Sequence, residues 1–312
     1  LCGKFLGCGV VEKKFGSTGI DTLALFKMGN QSILNTNDCP YDLASKTIKA
    51  NNLHTLKIDL LLVGYAGAGP YPQCFEFDTL DEKLIAAKGK EDQFLLQAIK
   101  YIDLLKPVAF TPFAGTYTLG SRMAELTDYR GVPSVSYATQ FLNDEFNGRT
   151  NGLLLEQFDL YDLDSETLQK SEKKFPLSRE EYESVISKKS LDYDNDDWDD
   201  GELHALIQSA YKRFKKKAEE IEFRSDTKIL IKSDRFAFQL STESEAEEIS
   251  LDANLIEPFV RMEVDHNLLH RLLRGPRFAH WNNAEIGSHL KYLRKPNQFE
   301  RELYHCMCFL HS

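Results

Sequence analysis

The sequence predicts a mixed α/β protein of the α+β kind, and three observations carry that expectation. A continuous apolar run, Ile58 and Leu60 through Val63, has the make-up of a strand covered on both faces. An amphipathic stretch from Leu80 to Leu105 follows it, ended by Pro107, and Val108 to Thr111 then reads as a second short strand. Strand, helix and strand in alternation place helices against a sheet. Past about residue 200 a new helix and new alternating strands begin, and 312 residues suffice for two cores.

The elements follow in order. Thr22 to Lys27 and Gln31 to Asn35 read as strands around the turn Met28-Gly29-Asn30. Tyr41 to Asn51 fits a helix. The buried strand, Lys57 to Tyr65, opens into a loop holding Gly64, Gly67, Gly69, Pro70 and Pro72, and the helix from Leu80 to Leu105 is expected to break near Gly89. The next strand enters a second loop, Pro112-Phe-Ala-Gly-Thr-Tyr117. Residues 1–140 form the first domain on this reading, 141–200 an acidic connection and 201–312 a smaller C-terminal α+β domain.

Within the connection, Ser178-Arg-Glu-Glu181 has capping-box spacing and starts a short helix. The acids Asp192, Asp194, Asp196, Asp197, Asp199 and Asp200 resemble a calcium loop only at first sight. Counted from Asp192, the loop needs Gly where Asp197 stands and Glu where Leu203 stands. The run therefore reads as a solvated linker whose last acids cap a helix of about 202 to 223. Strands follow at Lys228 to Lys232, Phe236 to Leu240 and Phe259 to Val264. Asp265 caps a helix from His266 to Arg274 that Gly275 stops, and Phe299 to Leu310 is an apolar helical tail.

Composition excludes some function classes. A net charge of −10 repels phosphate over most of the surface, so no nucleic-acid partner is expected. No apolar run approaches the roughly 20 residues that a membrane span needs. Six cysteines occur without zinc-type C-x2-C spacing, which suits free thiols in a reducing, cytoplasmic setting. The opening Leu1-Cys2-Gly3 lacks signal-peptide organisation, and the chain reads as beginning partway into a larger protein.

Chemistry-bearing residues are few in the first half. Ser32-Ile-Leu-Asn-Thr-Asn-Asp38-Cys39 runs from a strand into a polar turn, where Asn35 and Asn37 brace the backbone and Asp38 offers a hard oxygen ligand. An ordinary Asx turn explains the same residues. The loop Gly64-Tyr-Ala-Gly-Ala-Gly69 is no dinucleotide cradle, because Pro70 and Pro72 stand where a helix should open. His266 and His270 have the i, i+4 spacing of a metal pair on one helix face, without a third ligand in a diagnostic pattern. The plainer reading is the polar face of a surface helix. His280-Trp-Asn-Asn283 and His289 form a polar-aromatic cluster suited to a structural role.

Three segments recur in a familiar order and spacing: Leu34-Asn-Thr-Asn-Asp38-Cys39, then Asp59 through Pro72 with Cys74-Phe75, then Phe110-Thr-Pro-Phe-Ala-Gly115. Over roughly residues 15 to 135 the chain resembles the metallo-β-lactamase-fold part of proteins similar to CMP-N-acetylneuraminate hydroxylase. Residues 202 to 312 faintly resemble a sterol-carrier-like appended domain. The resemblance implies an αββα sandwich lacking its N-terminal metal-binding part, with Asp38 at the position of the metal-bridging acid. It implies a divalent transition metal (zinc, iron or manganese) and a small-molecule substrate. Asn37, Tyr65, Gly67, Gly69, Tyr71, Phe113, Gly115 and Tyr117 would line the pocket.

The chain departs from that family where the metal is concerned. The HxHxDH motif is missing, the late histidine is replaced by Thr111-Pro-Phe-Ala114, and the Rieske cysteine and histidine pairs are absent. A single carboxylate cannot hold a catalytic metal, which needs about three protein ligands. The expected function is thus a metal-dependent hydrolase, inactive as this chain alone. Another chain or a second copy would complete the site and cover the half-sandwich's exposed edge and apolar face. The alternative is a metal-free binding or scaffold protein that keeps the fold.

Overall fold

The computed structural model describes residues 2–12, 17–115, 117–173 and 177–312. The chain is mixed α/β and divides into two compact units. The first comprises Leu1–Ala68, Ala86–Thr118 and Gly131–Tyr182; the second comprises Gly69–Ile85, Leu119–Arg130 and Glu183–Ser312.

The first unit is built on one six-stranded sheet. Its elements are β1 (Cys2–Glu12), β2 (Ser17–Met28), β3 (Gln31–Asn35), α1 (Tyr41–Ala50), β4 (Leu60–Gly64), α2 (Leu80–Leu105) from Ala86 onward, β5 (Ala109–Phe113), α3 (Val135–Phe146) and β6 (Asn151–Gly152). A hairpin of β7 (Leu160–Asp162) and β8 (Thr167–Gln169) and the start of α4 (Arg179–Ser187) complete it. The strands lie in chain order; β1, β2 and β3 are antiparallel, and β3 to β6 run parallel.

Alternation sorts the side chains. Leu34, Leu61, Val63 and Phe110 point to a core shared with Ala44 and Ile48 of α1, Leu95, Ala98 and Ile102 of α2, and Leu142 and Phe146 of α3. Leu60 and Ala109 point the other way, toward Leu153 and the partly buried Ile33, Leu62 and Tyr161. On that second side Phe5 is 73% exposed and Met28 59%.

Local signals explain the element ends. Ser178 and Glu181 exchange capping bonds: the Ser178 N–H donates to Oε2 at 2.7 Å, and the Glu181 N–H donates to Oγ at 3.2 Å. Asp59, almost fully buried, accepts from the Ser32 N–H at 2.8 Å and pairs with Lys57 at 2.7 Å, which fixes β4 beside β3. The expected break at Gly89 does not occur, and α2 is continuous. A methyl at Gly89 would meet nothing, so the glycine costs about 1 kcal/mol of propensity without bending the helix.

The second unit has a five-stranded sheet. Its main elements are α5 (Leu203–Glu220), β9 (Lys228–Lys232), β10 (Ala237–Leu240), β11 (Glu247–Ile249), β12 (Phe259–Val264), α6 (His266–Arg274), α7 (Trp281–Ile286), β13 (Leu290–Lys295) and α8 (Arg301–Met307). Strand order is β11-β10-β9-β12-β13, with β9 and β12 parallel and the other pairs antiparallel. Asp265 caps α6 by accepting from the N–H groups of Asn267 and Leu268, and Gly275 ends it at φ 104°. The apolar tail is helical over a shorter span than expected, and its end is fixed where the Trp281 indole N–H donates to the Leu310 carbonyl at 2.6 Å. Cys8 and Cys39 in the first unit and Cys74 and Cys306 in the second are buried free thiols. Among the described residues, no helix is long and apolar enough to cross a membrane.

Leu61 is fully buried at the centre of the first core, so Leu61→Ala should lower unfolding stability by about 2–5 kcal/mol in a denaturant titration. A loss no larger than that of an exposed substitution such as Phe5→Ser would contradict the packing described. In the second unit, burial holds His289, His305 and His311 below the ordinary imidazole range. Such groups take up protons more readily when unfolded, so stability should fall as pH drops through about 6.5. Chemical denaturation of the chelator-treated chain at several pH values measures this; a midpoint independent of pH across that window would refute it.

Candidate metal centre

The residues expected to form a site belong in part to one edge of the first unit. Asp38 follows β3, Tyr65 and Gly67 follow β4, and Phe113, Gly115 and Tyr117 lie at or beyond the end of β5, at the carboxyl ends of three neighbouring parallel strands. The Asp38 turn is tied down from both sides. The Asn35 side-chain oxygen accepts from the Asn37 N–H at 2.7 Å, the Thr36 N–H donates to the Leu62 carbonyl at 3.0 Å, and the Gly64 N–H donates to Thr36 Oγ1 at 2.9 Å. Gly64 is required here because a Cβ would collide with the Asn37 carbonyl. Tyr65 is buried against Gly115, where an added Cβ would sit 2.5 Å from its ring.

Gly69 and Tyr71 belong to the second unit, where Tyr71 packs edge-on against Phe75 at 5.3 Å. Asp38 itself is exposed. Asp21 stands close enough that burial, and then the Asp38 charge, push its carboxyl above the ordinary range. Among the described residues, however, no group of three or more histidine, cysteine or acidic side chains includes Asp38. Among the described residues, this edge does not gather the ligands of a transition metal by itself.

The second unit does bring such a group together, from Asp200, His266 and His270. The two imidazoles lie one turn apart on α6, which the Asp265 cap starts. Asp200 comes from the acidic segment just before α5, in a short 3-10 turn that Asp199 caps by accepting from the Gly201 N–H at 2.9 Å. Arg271 holds that segment against α6, through Asp192 at 2.6 Å and Asp196 at 2.5 Å, and Arg122 joins Asp194 at 2.8 Å to Asp265 at 2.9 Å. Asp192, Asp194 and Asp196 are thus ion-paired, while Asp192, Asp194, Asp197 and Asp199 stay exposed as expected of a solvated run.

The geometry converges on one carboxylate oxygen. Asp200 Oδ1 lies 2.6 Å from His266 Nε2 and 3.6 Å from His270 Nε2, while Arg235 holds Oδ2 at 3.2 Å. The His266 contact, followed by Arg235, keeps the Asp200 carboxyl below the usual range. His266 Nδ1 lies 3.4 Å from Ser233 Oγ. His270 is 0% exposed, stacks on Trp198, and has no hydrogen-bond partner at either ring nitrogen. Burial, then the neighbouring charges of His266 and Arg274, lower its pKa, and the neutral imidazole so favoured is the form that ligates metals.

The i, i+4 histidine spacing was therefore the informative signal in the sequence, but its expected surroundings are corrected. The pair is buried, not a polar surface face, and the third group, Asp200, arrives from a segment 66 residues upstream that local spacing could not reveal. Comparison of the chain with protein-family models, curated proteins and solved structures finds no match.

Proposed function

We propose that the first unit is a metallo-β-lactamase-like half sandwich and that the completed protein is a metal-dependent hydrolase of a small molecule. The observation that carries this reading is the placement of the Asp38 turn and the loops after β4 and β5 at the carboxyl ends of adjacent parallel strands, where α/β proteins assemble ligand sites. Residues 34–39, 59–68 and 110–115 of the resembling segments lie along these strands and the loops that follow them. Asp38 would supply one ligand there, and Tyr65, Gly67 and Gly115 would shape the floor. A bound metal would lower the pKa of a water and polarise the substrate.

The remaining ligands must come from outside these residues. The second side of the sheet supports a covering partner, either another chain or a second copy: Phe5 and Met28 are exposed on it, and Ile33 and Leu62 are only partly covered. The buried free thiols suit the cytoplasmic setting that goes with this reading. A metal-free scaffold is the rival, favoured by the exposure of Asp38 and its lack of fellow ligands among the described residues.

Purification of the chain together with whatever completes its first unit, followed by metal-dependent turnover of a panel of ester, amide and phosphoester substrates, separates the two. Asp38→Ala should cut turnover by about 100-fold or more while the far-ultraviolet circular dichroism stays unchanged. Turnover untouched by that substitution would reduce Asp38 to a turn residue.

A further inference from the structure

We propose that Asp200, His266 and His270 bind one divalent transition metal ion in the second unit, with at least one coordination position left for water. This site shares no residue with the Asp38 edge and does not depend on the hydrolase reading.

The distances favour an ion. Ligand atoms of a tetrahedral zinc-type centre, with bonds near 2.0–2.1 Å, stand roughly 3.3 Å apart. His270 Nε2 and Asp200 Oδ1, at 3.6 Å, already have that spacing; it is too long for a hydrogen bond. His266 Nε2, at 2.6 Å from the same oxygen, must withdraw by well under 1 Å, and all three ligand atoms lie within 4.8 Å of one another. The site is thus nearly preformed.

A plain histidine–aspartate hydrogen bond accounts for His266 and leaves His270 unexplained. A fully buried imidazole with neither nitrogen satisfied is left desolvated without compensation, which a metal at Nε2 relieves in part. The supporting shell is present as well. Ser233 beside Nδ1 fixes the His266 ring, Arg235 orients the carboxylate through its other oxygen, and Trp198, beneath the Arg274 guanidinium at 4.4 Å, holds the His270 ring flat.

The donor set selects the class of ion. Two imidazoles and one carboxylate suit zinc, iron, cobalt or nickel over magnesium or calcium, which prefer oxygen donors alone. Three protein ligands leave a tetrahedral ion one position short, the pattern of a centre that binds water or a small anion rather than a closed structural site. Asp200 is about one-third exposed while both histidines are buried, so the ion enters from the carboxylate side.

Zinc titration of the tag-free, chelator-treated chain by calorimetry tests the proposal, with cobalt(II) absorption as a second readout. The unaltered chain should take up one equivalent of zinc and give the intense visible bands of a four-coordinate cobalt centre. Asp200→Asn, at the partly exposed position, and His270→Gln should each weaken zinc binding by more than the roughly 10–100-fold that losses in the outer shell cause. His204→Gln, an exposed histidine on α5, should leave it unchanged. Circular dichroism verifies the fold of each variant, and Asp200→Asn carries the test if His270→Gln does not fold. Absence of stoichiometric zinc in the unaltered chain overturns the proposal. So does an equivalent retained undiminished in Asp200→Asn, which would place the metal elsewhere, Asp38 included.

Discussion

Two imidazoles buried on one helix need something to face, and that need organises the second unit. An apolar helix face would ordinarily carry leucines, as α6 does at Leu268, Leu269, Leu272 and Leu273. His266 and His270 interrupt that stripe, and both lie out of solvent. A lone buried imidazole is costly, so the chain brings Asp200 up to them and anchors the approach with Arg271 and Arg235. Those anchoring ion pairs contribute little individually where exposed. Their value is positional, because together they fix the acidic segment on α6.

The first unit answers a different constraint. Its parallel strands β3 to β6 need cover on both faces, since the crossovers carry helices. One face has its helices, α1, α2 and α3, and its core is closed by side chains such as Leu61 and Phe110. Among the described residues of the first unit, the segment around Leu153 to Leu163 packs on the other face against Leu60 and Ala109. Its outer strands β1 and β2 leave Phe5 and Met28 to solvent. That uneven cover is what the proposed further layer rests on.

Much of the fold was legible because local rules and tertiary structure agree there. The hairpin at Met28-Gly29-Asn30, the buried run of β4, the Ser178 capping box, and α6 with its Asp265 start and Gly275 stop all stand close to where pattern and turn chemistry put them. The misses have causes. β1, Cys2–Glu12, begins Cys2-Gly3-Lys4-Phe5-Leu6-Gly7-Cys8-Gly9, where three glycines and two small cysteines mute the strand signal; β6, of two residues, is too short to show a period. Gly89 looked like a break, yet its open surroundings let α2 pass through. The candidate centre was half legible. Spacing singled out His266 and His270, but only folding shows that Asp200 meets them, since nothing local distinguishes it from the other acids of its run.

The thiols buried in both units have a practical consequence. Burial pushes the Cys74 thiol up to about 11 and the Cys306 thiol up to about 12, and raises Cys39 as well. Almost no thiolate exists at neutral pH, so alkylating reagents find these sulfurs unreactive until the surrounding structure opens. Cys8 and Cys39 report on one unit, Cys74 and Cys306 on the other. The rate at which each pair is modified therefore clocks the opening of its own half of the chain, with no label engineered in.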